Sequence, residues 1–180
     1  ICYYRQDFGR LNADKDSYGV PRSKSIQTTP AHQLALAAVY YSPLQYMYWY
    51  DKPSDSQDEP ELKFFDDVYT TWDDTKVLQG EVGEFITIAR RKGEEWFIGS
   101  ITNNEKRVLS VSLDFLPEGK NYIAEIYTDG DKSVKTRTKV RVSTYRVSNK
   151  TKLNFCLKAS GGAAVRLVPD DGNIKSVKNY

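Results

Sequence analysis

The chain has 180 residues, 39% of them hydrophobic, with acidic and basic side chains interspersed and a formal net charge of +2. That composition reads as a soluble globular protein and excludes a disordered or membrane-embedded one. Near-neutrality without clustered Lys/Arg gives no nucleic-acid footprint, and no apolar run is long enough to cross a bilayer.

Residues 1–27 read as loop, with Gly9, Gly19 and Pro21 among scattered charges. The chain opens on Ile1 rather than Met, so it is read as a piece of a longer protein, and an absent leader says nothing about export. A helix is predicted over 30–41. Thr28 or Thr29 supplies a capping hydroxyl, and Pro30 fits the first helical position. Ala31–Tyr41 is so Ala/Leu-rich that the helix should be largely buried. Ser42-Pro43 ends it. Leu44–Tyr50 is nearly continuous in apolar and aromatic residues, which fits a strand covered on both faces. Asp51–Glu59 is a loop around Pro53, and Pro60–Val68 is a short helix.

From Trp72 onward the pattern becomes one of strands. Phe85–Arg91 and Trp96–Thr102 flank Lys92-Gly93-Glu94, a hairpin signal. Val108–Phe115, Tyr122–Thr128, Val134–Val142, Leu153–Leu157 and Ala163–Val168 follow, with Gly, Asn and Asp between them. About seven or eight short strands at this spacing make an antiparallel sandwich with one buried face per sheet. Pro169–Tyr180 is polar and expected to fray.

The fold class read from the chain is therefore an α+β fragment. Residues 1–70 are the last helix, strand and helix of an incomplete (β/α)8 barrel, because they cannot bury their own helix and strand. Residues 71–170 form an antiparallel all-β sandwich, and 171–180 a polar tail.

The stretches Thr28-Thr29-Pro30-Ala31-His32-Gln33-Leu34-Ala35-Leu36 and Tyr41-Ser42-Pro43-Leu44-Gln45 resemble glycoside hydrolase family 97. The likeness continues through Phe64-Phe65-Asp66-Asp67-Val68, Thr71-Trp72-Asp73-Asp74-Thr75 and Gly83-Glu84-Phe85-Ile86-Thr87-Ile88-Ala89-Arg90-Arg91-Lys92-Gly93. It runs on through Trp96-Phe97-Ile98-Gly99, Asp114-Phe115-Leu116 and Gly161-Gly162-Ala163. The resemblance implies a bacterial enzyme with an N-terminal β-sandwich, a catalytic barrel and a C-terminal β-sandwich. It implies α-glucosidase or α-galactosidase activity, a calcium ion in the parent enzyme, and a periplasmic or extracellular location. The helix at 30–41, Leu44–Trp49 and Pro60–Val68 then resemble the barrel's seventh helix, eighth strand and eighth helix.

Such enzymes need two carboxyl groups flanking the scissile bond. The family's catalytic carboxylates and calcium ligands match no position here, so no catalytic residue, metal ligand or cofactor is assigned to this chain. Trp49, Asp51 and Lys52, with Tyr50, would lie at the barrel face where active sites form. They are the candidate substrate-binding residues, with barrel-rim packing as the alternative for Trp49 and Tyr50. Tyr3, Tyr4 and Arg5 would lie on the same face. Asp14 and Asp16 read as solvated loop, Asp73-Asp74 as turn or cap, and Asp129-Gly130-Asp131 as a hairpin turn. The single histidine, His32, reads as a hydrogen-bonded structural residue. The two cysteines, Cys2 and Cys156, read as free thiols, with a disulfide in an oxidising compartment as the alternative.

The first functional reading is the C-terminal part of a glycoside hydrolase. Its partners are the upstream barrel and N-terminal sandwich of the parent, an oligosaccharide substrate through the parent, and a second copy in a homo-oligomer. The alternative is a carbohydrate-binding sandwich module. Aromatic residues are 13% of the chain and Tyr suits sugar surfaces, but Tyr is also a common core residue. Trp96, Phe97, Phe115, Tyr127, Tyr145 and Phe155 show no solvent-face stripe.

Overall fold

The structure, a computed structural model, describes residues 28–46, 59–136, 138–173 and 176–180. The first helix, α1 (Pro30–Val39), begins where Thr29 accepts the His32 backbone N–H and Pro30 presets the first turn. A 3-10 turn over Pro60–Leu62 runs into a one-turn helix, α2 (Lys63–Asp67). Eight strands follow: β1 (Asp74–Glu81), β2 (Phe85–Lys92), β3 (Glu95–Thr102), β4 (Arg107–Ser112), β5 (Asn121–Asp129), β6 (Val140–Ser148), β7 (Lys152–Leu157) and β8 (Gly162–Pro169).

The strands form two antiparallel sheets, one six-stranded in the order β1-β2-β3-β8-β5-β6 and one a β4–β7 ribbon. The period-two alternation divides the large sheet into two faces. Ala89, Trp96, Ile98, Ala124, Ile126, Val165 and Leu167 meet Leu109, Val111, Leu153, Phe155 and Leu157 of the ribbon in one core. Phe97, Tyr127, Val140 and Ala164 turn the opposite way and meet α1 and Phe64 in a second core. The result is three layers: ribbon, large sheet and helices.

The predicted burial of the apolar helix is met by the sandwich's own sheet. Ala31, Leu34, Ala35, Ala37 and Ala38 are fully buried in the second core, where Leu34, the one large side chain among them, contributes about 1.5–3 kcal/mol. β6 starts at Val140 rather than Val134. The alternation ahead of it belongs to a turn, in which the Gly130 N–H donates to the Lys139 carbonyl and Lys139 takes a φ of 57°. β1 carries no strand signal in the sequence, being a bulged edge strand whose Val77 is exposed. The tail is polar, yet its end is seated. The Arg146 N–H donates to the Lys178 carbonyl, and the Tyr180 N–H donates to the Arg146 carbonyl. Of the predicted strand 44–50, residues Leu44–Tyr46 pair with no strand among the described residues, and 47–50 lie outside them.

Candidate functional site

The face that carries α1 and α2 brings together His32, Arg90, Arg166 and Glu61. α1 lies on β3 and β8 at backbone distance because two glycines face it. A Cβ on Gly99 would stand 2.5 Å from the Ala35 carbonyl oxygen, and one on Gly162 would stand 2.5 Å from the His32 Cα. The loop before β8 holds the helix's first turn. The Thr29 N–H donates to the Ser160 carbonyl at 3.0 Å, and His32 Nδ1 lies 3.1 Å from the Gly161 carbonyl, which places a ring proton on that nitrogen. Burial lowers the pKa of His32, with the Gly161 carbonyl and Asp129 opposing it. The histidine is therefore structural. Asp129 Oδ2 accepts the backbone N–H groups of Lys158 and Gly162 and so shapes the same loop.

The other end of α1 is closed from the sheet. Arg90, buried on β2, donates to the carbonyls of Ala38 and Val39 and to the Thr75 hydroxyl. Its guanidinium also lies 5.2 Å from the ring centre of Tyr41. α2 is fixed by a second arginine. Arg166 on β8 pairs with Glu95 at 2.8 Å, Asp67 at 2.8 Å and Glu125 at 3.5 Å, while Lys63 bridges Asp67 and Glu125. Burial opposes the charge on Arg166, but Glu95, Asp67 and Glu125 outweigh it and raise its pKa.

Glu61 stands apart. It is fully buried, and neither carboxyl oxygen has a hydrogen-bond partner. Desolvation raises its pKa; the nearby buried Thr138 hydroxyl opposes this, although it is turned onto Thr136 Oγ1 at 3.3 Å.

Of the acids read as turn residues, Asp73 precedes β1 and Asp131 follows β5, whereas Asp74 and Asp129 are the end residues of those strands. Asp73 receives the Gly93 N–H at 2.7 Å and the Lys92 ammonium at 3.1 Å, and these contacts lower its pKa. Asp74 accepts the Thr75 N–H. Asp131 accepts from Ser133 and pairs with Arg141. No group of three or more His, Cys, Asp or Glu is placed to hold a metal among the described residues. Cys156 is free and exposed. Trp49, Tyr50, Asp51 and Lys52 lie outside the described residues, as do Cys2, Tyr3, Tyr4, Arg5, Asp14 and Asp16. The sequence reading missed Arg90, Arg166, Glu61 and the helix-facing glycines. Gly99 alone carried a signal, since an isolated glycine within a strand marks a close backbone approach.

Residues 71–168 match the family described as glycosyl-hydrolase 97 C-terminal, oligomerisation. A retaining α-galactosidase of Bacteroides thetaiotaomicron is 34% identical over 158 residues, covering 87% of this chain and 23% of the relative. A family 97 glycoside hydrolase from Pseudoalteromonas sp. strain K8, solved in complex with acarbose, is 37% identical with a TM-score of 0.71, over 79% of this chain and 23% of that one. A β-arabinopyranosidase is 25% identical with a TM-score of 0.63, over 82% of this chain and 22% of that one. The chain thus spans 23% of the length of the curated relative it matches. Over the strands that build its sandwich, this chain belongs to the C-terminal domain family of glycoside hydrolase family 97.

Proposed function

We propose that the chain is the C-terminal part of a glycoside hydrolase cleaving α-glucosides or α-galactosides, acting as structural and oligomerisation support without catalytic carboxylates of its own. One observation carries this reading. Asp67, Glu95 and Glu125 are held by Arg166, Asp129 by backbone N–H groups and Asp170 by Arg146, while Glu61 is fully buried and closed to any substrate. Glycoside cleavage needs two carboxyl groups facing each other across an open cleft. The α-galactosidase and acarbose-bound relatives support the substrate class. In the same reading residues 1–70 end the parent's barrel, Trp49, Asp51 and Lys52 face its substrate, and the parent binds calcium and works in the periplasm or outside the cell.

A carbohydrate-binding module would need an aromatic platform on the strands. Trp96, Phe97, Tyr127 and Phe155 are buried in the two cores instead. The test is an assay of the purified chain and its parent on nitrophenyl α-glucoside and α-galactoside. Turnover is expected from the parent alone, and measurable turnover by the 180-residue chain overturns the reading.

A further inference from the structure

The two sheets have four edge strands, and three of them carry a feature that hinders pairing with a further strand. β1 is bulged between Val77 and Gln79. β6 has the end of the chain laid against it, with the Arg146 N–H on the Lys178 carbonyl and the Tyr180 N–H on the Arg146 carbonyl. β7 has its Asn154 N–H taken by the Tyr180 hydroxyl oxygen. The fourth edge is β4, and among the described residues it pairs with no strand but β7.

The direction of the β4 backbone groups follows from β7. The Asn154 N–H points at Tyr180 and so away from β4, and Asn154 stands opposite Ser110. Antiparallel pairs alternate between those that exchange hydrogen bonds and those whose groups point apart. Ser110 therefore turns its N–H and carbonyl outward, and Val108 and Ser112 do the same. Among the described residues nothing takes these outward groups. The side chains leave the edge open as well. Val108 is 75% exposed, Ser110 is exposed and Ser112 is half-buried. No charged residue and no proline lies between Arg107 and Asp114. An edge of this kind is a template for strand addition.

We infer that β4 pairs antiparallel with β4 of a second copy about a two-fold axis at Ser110, fusing the two ribbons into one four-stranded sheet in the order β7-β4-β4-β7. The inference rests on the proposed reading of this domain as oligomerisation support, and it names the surface that does the work. Self-complementarity selects a second copy as the occupant. The axis sets Ser110 opposite itself and Val108 opposite Ser112 of the second copy, so each outward donor meets an outward acceptor. The same register brings Lys106 opposite Asp114 of the second copy. Both are exposed, and neither has an ion-pair partner among the described residues of its own copy.

The full-length parent tests this in two ways. Ser110→Cys, in a Cys156→Ser background, is expected to give a covalent dimer on mild oxidation, linked through two copies of the β4 peptide. Facing Cα atoms in such a pair stand about 5.5 Å apart, inside the range of about 4.4–6.8 Å that a disulfide spans. Ser110→Pro deletes the outward N–H without touching the β4–β7 ladder, and should halve the mass found by sedimentation velocity. Ser110→Lys sets two ammonium groups against each other across the axis, and should do the same if the proline variant fails to fold. An oligomer whose mass ignores the folded variants, or an oxidised sample without the β4–β4 link, overturns the pairing and leaves the oligomerisation reading standing. A parent that is monomeric at every concentration overturns both, and slow exchange of its Ser110 amide would assign the edge to another part of its own chain. Turnover of a nitrophenyl α-glycoside by the same preparations reads the enzymatic claim separately, since an inactive parent that dissociates on Ser110→Pro supports the pairing and sinks only that claim.

Discussion

Arg90 Nε donates to the carbonyl of Ala38 at 2.5 Å, across the gap between β2 and the last turn of α1. A helix leaves its final carbonyls without partners, and α1 has no basic residue of its own in the last turn. The sheet supplies the missing charge, and the Arg90 fork takes the Val39 carbonyl and the Thr75 hydroxyl as well. Arg90→Ala is expected to destabilise the chain by about 1.5–3 kcal/mol, the range for hydrogen bonds to charged groups. Arg90→Lys keeps the charge but not the fork, and should recover less than half of the loss. Urea denaturation of the three proteins measures both effects, and an unchanged midpoint in Arg90→Ala would remove the cap from the account.

The glycines under α1 make a sharper prediction. The obstacle to a methyl group at Gly99 is a backbone oxygen 2.5 Å away, with a Val39 side-chain carbon at 2.9 Å. Gly162 faces the backbone of His32. Neither neighbour can swing aside, so Gly99→Ala and Gly162→Ala should each cost about 1–3 kcal/mol through displacement of the helix. Hydrogen exchange should show the loss first in the amides of α1, with β4 and β7 unaffected. A stabilising effect, as expected from replacing a flexible strand glycine in open space, would contradict the close approach.

These residues also show what the sequence could and could not reveal. The start of α1 was legible because Thr29 and Pro30 act locally. Its burial was legible from Ala and Leu, but its partner was not, because the contacts set Gly99 against Ala35 and Gly162 against His32, and the glycines have no side chain to read. Val140 is buried and Arg141 exposed, as the alternation predicts, but Val142 is exposed, and the pattern said nothing of where the ladder begins. That point is set by the Gly130–Lys139 closure and the positive φ of Lys139. Arg166 sits in an ordinary strand pattern, and its three carboxylates come from α2, β3 and β5. Only the folded topology brings them together. The candidates Trp49, Asp51 and Lys52 depend on a barrel rather than on the sandwich, so the sandwich gives them no surroundings.

Two buried groups give the stability opposite slopes with pH. The folded-state pKa of His32 lies below its usual 6.5, so the unfolded chain takes up a proton first as pH falls. The stability associated with neutral His32 is full above 6.5 and is lost on acidification through the window between 6.5 and the lowered value. Glu61 is raised above 4.5, so the folded chain holds its proton longer, and stability declines as pH rises from 4.5 through the raised value. His32→Gln should flatten the loss of melting temperature between neutral and mildly acidic pH. Glu61→Gln should flatten the decline on the alkaline side and stabilise the chain at neutral pH. Parallel melting curves for wild type and both variants across the range would refute the assignment.

The last prediction concerns the end of the chain. β6 is an edge of the large sheet and β7 an edge of the ribbon, and the tail joins them. Asn179 bridges Arg146 in parallel. The Tyr180 ring meets Tyr145 edge-on at 5.1 Å, and the Tyr180 hydroxyl oxygen accepts the Asn154 N–H of β7 at 2.9 Å. One residue therefore contacts both sheets across the open side of the sandwich. Tyr180→Phe removes only the hydroxyl and should cost about 1 kcal/mol, the ordinary net value of one hydrogen bond. Tyr180→Ala also loses the aromatic contact, worth about 0.5–1.5 kcal/mol more. The Asn154 amide reports on the mechanism directly. Its exchange should accelerate in both variants, because both remove its acceptor, whereas the amides of Leu153 and Phe155 should keep wild-type rates in Tyr180→Phe. Equal protection of Asn154 in all three proteins would mean that the tail rests against the sandwich without joining its sheets.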